Sequence, residues 1–83
     1  MKLKVFITPQ KQVVDPQGEA VLRALQGNFP KVNVARTTIG KYFEIEGSDK
    51  AQLEQIAADM KKIADRAGIY NPVTEDIHTE VEE

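Results

Sequence analysis

The stretch Val32-Asn33-Val34-Ala35-Arg36-Thr37-Thr38-Ile39-Gly40-Lys41-Tyr42-Phe43-Glu44-Ile45-Glu46 decides the fold. Val32 and Val34 alternate with Asn33 and Ala35, the period of a strand running to about Thr38. Phe43 and Ile45 alternate with Tyr42, Glu44 and Glu46, which predicts another strand. The break between them, Ile39-Gly40-Lys41, is short enough for a hairpin. Two strands joined this way need further elements on either side to bury their apolar face.

Those elements are readable outward in both directions. Leu3, Val5 and Ile7 alternate with Lys2, Lys4 and Thr8, a half-buried N-terminal strand that Pro9 ends. Phe6 lies on the otherwise polar face, as Tyr42 does. Residues 9–14 read as a loop. Asp15 can accept a backbone N–H as helix N-cap, and Pro16 suits the first helical position. Gly18 and Ala20 leave room at the front of this helix. Val21, Leu22, Leu25 and Phe29 form its stripe, and Gly27-Asn28 with Pro30 marks its end. Ser48 offers an N-cap for a second helix, in which Leu53, Ile56, Ala57, Met60, Ile63, Ala64 and Ala67 keep helical spacing. Gly68 stands at its C-terminal cap. Asn71-Pro72 turns the chain into a last strand, 73–81, with Val73, Ile77 and Val81 on one face.

The order β-α-β-β-α-β predicts an α+β, two-layer sandwich of the split βαβ, ferredoxin-like type. The expected architecture is an antiparallel four-stranded sheet with both helices on one face. That leaves the other face bare, with Phe6 and Tyr42 on it, and suits association. At 83 residues the chain is one domain, residues 1–83. It has no room for a nucleotide-binding unit plus a substrate domain. A core this small commonly draws support from disulfides, metals or oligomerisation. With no cysteine and a single histidine, oligomerisation or docking is the support left.

The net charge of -2 is unevenly spread. Eleven cations and eight acids give the first 74 residues +3, and five acids give the tail -5. An acidic chain is poorly suited to nucleic acid by long-range electrostatics. No apolar run reaches the ~18 residues a membrane helix needs, and no signal-peptide block leads the chain. A cytoplasmic protein is the expectation.

Chemical motifs are sparse. Nucleophilic catalysis needs an activated Ser, Cys or Thr beside a base. Ser48 is the lone serine, and His78 reads as a solvated residue on an edge strand. Glu75 and Asp76 are adjacent and would point to opposite strand faces. Gly40-Lys41 resembles the end of a phosphate loop, but Ala35 and Tyr42 stand where that motif needs Gly and Ser or Thr. No catalytic, cofactor-binding or metal-binding residue is assigned. Two other readings stay open on these residues: a regulatory domain binding a small metabolite, and a single-stranded RNA module using Phe6 and Tyr42 amid Lys2, Lys4 and Lys41.

Three motifs together go further. They are Val14-Asp15-Pro16-Gln17-Gly18 before the Ala20-Val21…Ala24-Leu25 helix, then Ile39-Gly40-Lys41-Tyr42-Phe43-Glu44, then Asn71-Pro72-Val73-Thr74-Glu75-Asp76 before an acidic end. In this order and spacing the chain resembles the PurS family, small subunits of phosphoribosylformylglycinamidine synthase. Arg66-Ala67-Gly68-Ile69-Tyr70 departs from the Leu-Leu-Ala approach usual in that family and suggests an altered helix end with Tyr70 exposed. Thr74 replaces a common apolar residue.

The resemblance implies a part in purine biosynthesis, within a ligase that uses glutamine, ATP and Mg. PurQ, a glutaminase, would release ammonia, and PurL, a synthetase, would bind ATP and the ribonucleotide. The small subunit would be a homo-oligomer, dimer or tetramer, that bridges both, supports ammonia transfer, binds no cofactor itself and is inactive alone. Its expected contact residues are Phe6 on the sheet face, Ile39, Gly40, Lys41, Tyr42 and Phe43 in the hairpin, and Asn71, Pro72, Glu75 and Asp76 at the last turn. Asp15, Pro16 and Gly18 are expected to act as a structural cap.

Overall fold

A computed structural model describes all 83 residues. The elements are β1 (Lys2–Pro9), α1 (Pro16–Asn28), β2 (Lys41–Glu46), α2 (Lys50–Ala58), α3 (Met60–Arg66) and β3 (Glu75–Glu82). They form an α+β fold around a three-stranded antiparallel sheet of order β2-β1-β3.

β1 is the centre of the sheet, as its alternation predicts. Leu3, Val5 and Ile7 are fully buried and face Ile45 and Phe43 on one side and Val81, Thr79 and Ile77 on the other. Leu53 of α2, Met60 and Ala64 of α3, and Tyr70 close the core over them. α2 packs on β1 and β3, so the β2 side of this face, with Phe43 and Ile45, stays half-covered.

The expected fourth strand, residues 32–38, does not form, and the sheet has three strands rather than four. A tight hairpin of two or three residues ordinarily places a residue at positive φ. Gly68 is the single residue with one, so Gly40 passes the chain on without a tight turn. The segment before it runs back along α1 instead. Thr37 lays its carbonyl against Gly18, where a Cβ would not fit. Ile39 donates its N–H to Asp15 Oδ2 at 3.0 Å, and Arg36 donates to the carbonyls of Lys11 and Gln10 at 3.1 and 3.5 Å.

The expectation of two helices on one sheet face is corrected with it. α1 belongs to none of the well-packed pairs of elements. Gly18 is its one buried residue. α1 and the returning segment form an arm that leaves the body, and the molecule measures 47 × 28 × 14 Å.

Local signals at the helix ends hold with two changes. Asp15 caps α1 through Gly18 N–H at 3.0 Å, with Pro16 in the first turn. Asp49, not Ser48, caps α2, accepting from the amides of Ala51 and Gln52. The long second helix is interrupted at Asp59, whose N–H contacts the carbonyls of both Gln55 and Ile56. Gly68 takes φ +76°. The amide of Gly68 bonds the carbonyl of Asp65 and that of Ile69 the carbonyl of Ala64, a paired closure that satisfies the last carbonyls of α3. This reversal carries Tyr70 back into the core at 8% exposure, against the expectation that it is exposed. The last strand starts at Glu75 rather than Val73, because residues 71–74 form the turn and Val73 points into solvent.

Candidate subunit-interaction surfaces

The open face of the sheet carries a row of rings set by strand register. Phe6 lies opposite Tyr42 on β2 and opposite His78 on β3. The Phe6 ring is 4.9 Å from that of Tyr42 and 5.9 Å from that of His78. Such cross-strand pairs stabilise a sheet wherever it is solvated. The half-exposed outer surface of Tyr42 is free for a partner. His78 stands on an edge strand as expected, but it completes the row.

Charges frame these rings. Lys2 pairs with Glu44 at 3.3 Å, and Lys4 pairs with Glu82. Tyr42 donates its hydroxyl to Glu44 Oε1 at 2.7 Å. That bond, followed by the one from Lys2, holds the Glu44 carboxyl below the usual carboxylate range. The same bond raises the Tyr42 phenol. The hydrogen bond and charge of Glu82 raise Lys4, and Lys4 in turn lowers Glu82.

A second surface lies at the end of the sheet. Sequence reasoning assigned 39–43 and 71–76 as separate contact segments, and the fold brings them together. Lys41 Nζ donates to the Ile69 carbonyl at 2.9 Å and lies 4.0 Å from the Glu75 carboxylate. Glu75 Oε1 also accepts the N–H of Asn71, and Asn71 Oδ1 accepts the N–H of Val73. Pro72 is exposed there. Gln10, which sequence reasoning missed, ties this turn to the body. Its side chain reaches the carbonyls of Pro72 and Glu75, and its own N–H reaches that of Thr74. Asp76 lies opposite Thr8 on the open face. Ile39, Gly40 and Phe43 do not form a hairpin with these residues: Ile39 and Gly40 anchor the arm, and Phe43 faces the core side.

The arm root is the third feature. Asp15 uses both carboxylate oxygens, one for Gly18 and one for Ile39. The backbone bond from Ile39, then that from Gly18, lowers its carboxyl below the ordinary range. The bond to Ile39, 24 positions away, had no signal in the local sequence. No group of three or more His, Cys, Asp or Glu side chains is arranged to hold a metal ion, and no helix is long and apolar enough to cross a membrane. The surfaces offer rings, charges and backbone edges.

Known proteins resemble the chain along nearly its whole length. The family model PurS, phosphoribosylformylglycinamidine (FGAM) synthase, matches residues 2–83. The phosphoribosylformylglycinamidine synthase subunit PurS of Bacillus subtilis is 40% identical over 86 aligned residues, covering 99% of this chain and 93% of that one. PurS of Methanocaldococcus jannaschii, described as one of the subunits of formylglycinamide ribonucleotide amidotransferase in the purine biosynthetic pathway, superposes with a TM-score of 0.71 at 28% identity, covering 99% and 95% of the two chains. A chain of PurLQS from Thermotoga maritima superposes with a TM-score of 0.63 at 25% identity, covering 95% of this chain and 93% of that one.

Proposed function

The chain belongs to the PurS family of phosphoribosylformylglycinamidine synthase subunits, and from that premise we propose that it serves de novo purine biosynthesis as a non-catalytic bridge between a PurL synthetase and a PurQ glutaminase. The observation that carries this reading is the family match along residues 2–83. A relative of similar length that occurs in a PurLQS assembly supports the choice of partners.

The chemistry of the chain is consistent with a division of labour. Glutamine hydrolysis through a thioester needs a cysteine, and there is none. ATP and Mg belong to the larger subunits in this reading, and the chain binds no cofactor. Ammonia released at one site is a nucleophile only while unprotonated. A subunit that excludes water between two sites preserves it, so the contribution is geometric. The protein works in the cytoplasm as a homo-oligomer.

Contacts with the larger subunits are assigned to Tyr42 with Phe6 on the open face, and to Lys41, Asn71, Pro72, Glu75 and Asp76 at the sheet end. Aromatic and long cationic side chains contribute strongly at interfaces when they fill pockets. The test is reconstitution. The chain alone is expected to be inactive, and adding it to PurL and PurQ should raise glutamine-dependent FGAM synthesis. Unchanged glutamine-dependent turnover without it overturns the proposal. Tyr42→Asp should block assembly while circular dichroism stays native, and normal assembly by that variant excludes the open face.

A further inference from the structure

We propose that the outer edge of β3 is a docking site for an extended, basic segment of a partner, which adds to the sheet as a further strand. The partner is one of the larger subunits, and the inference rests on the proposed function for that setting alone.

The backbone fixes which groups this edge offers. Gln10 donates its N–H to the Thr74 carbonyl, so by the alternation of an antiparallel ladder the even-numbered residues of β3 turn their backbone groups toward β1. The odd-numbered residues turn theirs outward. Those of Glu75 are used by the turn, its N–H on the Asn71 carbonyl and its carbonyl on the Gln10 side chain. Ile77, Thr79 and Val81 remain, with N–H and C=O groups facing out along about 13 Å of edge. No turn or loop backbone group bonds to them.

Edges of this kind are usually blunted by proline, lysine, a bulge or short length. β3 has eight residues with no Pro, Lys or Arg, and its register on β1 is unbroken from Glu75 to Glu82. Its core-side residues Ile77, Thr79 and Val81 carry no charge. The strand is built as a template for pairing rather than protected against it.

Charge selects the occupant. On the open face the sign alternates from strand to strand, with Lys2 between Glu46 and Glu82, and Lys4 between Glu44 and Glu80. A strand beyond β3 continues the alternation when it carries Lys or Arg on this face. Lys4 takes Glu82, Lys41 takes Glu75 and Lys50 takes Glu83, which leaves Asp76 and Glu80 without a Lys or Arg partner. On the other face the neighbours are Ile77, Thr79 and Val81, which suit apolar side chains. The segment that fits is therefore alternately basic and apolar. A second β3 does not fit. Paired antiparallel about Thr79, it would set Glu82 against Asp76 and Glu83 against Glu75, like charges directly opposite.

The experiment reads hydrogen exchange at the amides of Ile77, Thr79 and Val81 in two settings. One adds a synthetic peptide, acetyl-Lys-Val-Arg-Val-Lys-Val-Arg-amide, or its analogue with glutamate at every cationic position. The other adds PurL and PurQ. The basic peptide and the assembled complex should each slow exchange at these amides about tenfold or more, and the acidic analogue should not. Thr79→Pro removes an outward N–H without removing a bond to β1, a place where an edge strand tolerates proline. It should weaken peptide binding and assembly about tenfold while circular dichroism stays native. Glu80→Lys keeps every N–H and should reverse the preference between the two peptides, a readout that stands even where the proline variant does not fold. Failure of the basic peptide to bind, equal binding of both peptides, unprotected edge amides in an assembled complex, or protection that rises with the concentration of this chain alone each overturns the proposal. Protection by the basic peptide in a chain that restores no glutamine-dependent synthesis supports the edge site and overturns the subunit reading.

Discussion

Replacing glycine by alanine inside a helix ordinarily stabilises it by about 1 kcal/mol, and α1 contains two glycines with opposite surroundings. A Cβ at Gly27 would meet nothing within 4 Å. A Cβ at Gly18 would lie 2.6 Å from Asp15 Oδ2 and would collide with the Thr37 carbonyl oxygen, a backbone atom that cannot rotate away. Gly27→Ala should therefore stabilise α1 by about 0.5–1 kcal/mol. Gly18→Ala keeps the same gain in helix propensity but adds an overpacking cost of about 1–3 kcal/mol, for a net loss of up to about 2 kcal/mol. For a domain of this size, the full loss is a fall in Tm on the order of 10–15 °C. The assay is urea and thermal unfolding followed at 222 nm, with hydrogen exchange at the Ile39 amide as the local readout. Ile39 should lose protection in Gly18→Ala and keep it in Gly27→Ala. If both variants stabilise the protein, Thr37 does not lie against Gly18 and the clamped arm root is wrong.

Other perturbations test separate parts of the fold. Gly68→Ala should cost about 1–2 kcal/mol in urea unfolding, because alanine pays for the left-handed backbone at φ +76° although nothing crowds the site. Met60→Ala, which empties a buried site in the core cluster that includes Leu3 and Ile7, should cost about 2–5 kcal/mol by the same measurement. In Tyr42→Phe the Glu44 carboxyl loses its main hydrogen bond, so its NMR titration should move up toward an ordinary glutamate while that of Glu82 stays in place. Asp15, Glu44, Glu82 and Glu83 all have lowered carboxyl pKa values, so their stabilisation is present above the unfolded-state carboxylate range and disappears as pH falls through the folded values. Unfolding curves between pH 6 and pH 2 should show stability declining in the acid limb, and unchanged stability there would exclude these contacts.

Much of the architecture was legible because it is written in local patterns. The alternation of Leu3, Val5 and Ile7, the Asp15-Pro16 start and Gly68 each act over a few residues, and each appears where expected. Phe6 and Tyr42 could be placed on one face from parity alone, and register then makes them neighbours. Alternation at Val32 and Val34 is a strand signal that says nothing of a partner, and residues 33–40 take no regular structure, being tied to the start of α1 instead. Ser48 and Asp49 are equally capable caps one residue apart, and the side chain that reached the amides was decided by chain geometry. Tyr70 was misplaced because its burial follows from the reversal at Gly68, not from any periodicity. Of the proposed contact residues, Lys41, Asn71 and Glu75 are readable as two segments, and the link between them is a tertiary ion pair that no short window contains.

β1 supplies Leu3, Val5 and Ile7 to the core and is the only strand that pairs with both others. Its neighbours lie about forty and about seventy residues further along the chain. β1 has no partner until residues 41–46 pair with it, and the sheet cannot close until residues 75–82 do. Pairings so distant in sequence slow the search for the native topology. Until residues 75–82 are in place, the apolar side of β1 stays partly uncovered, the kind of exposure that makes incompletely folded chains prone to aggregate.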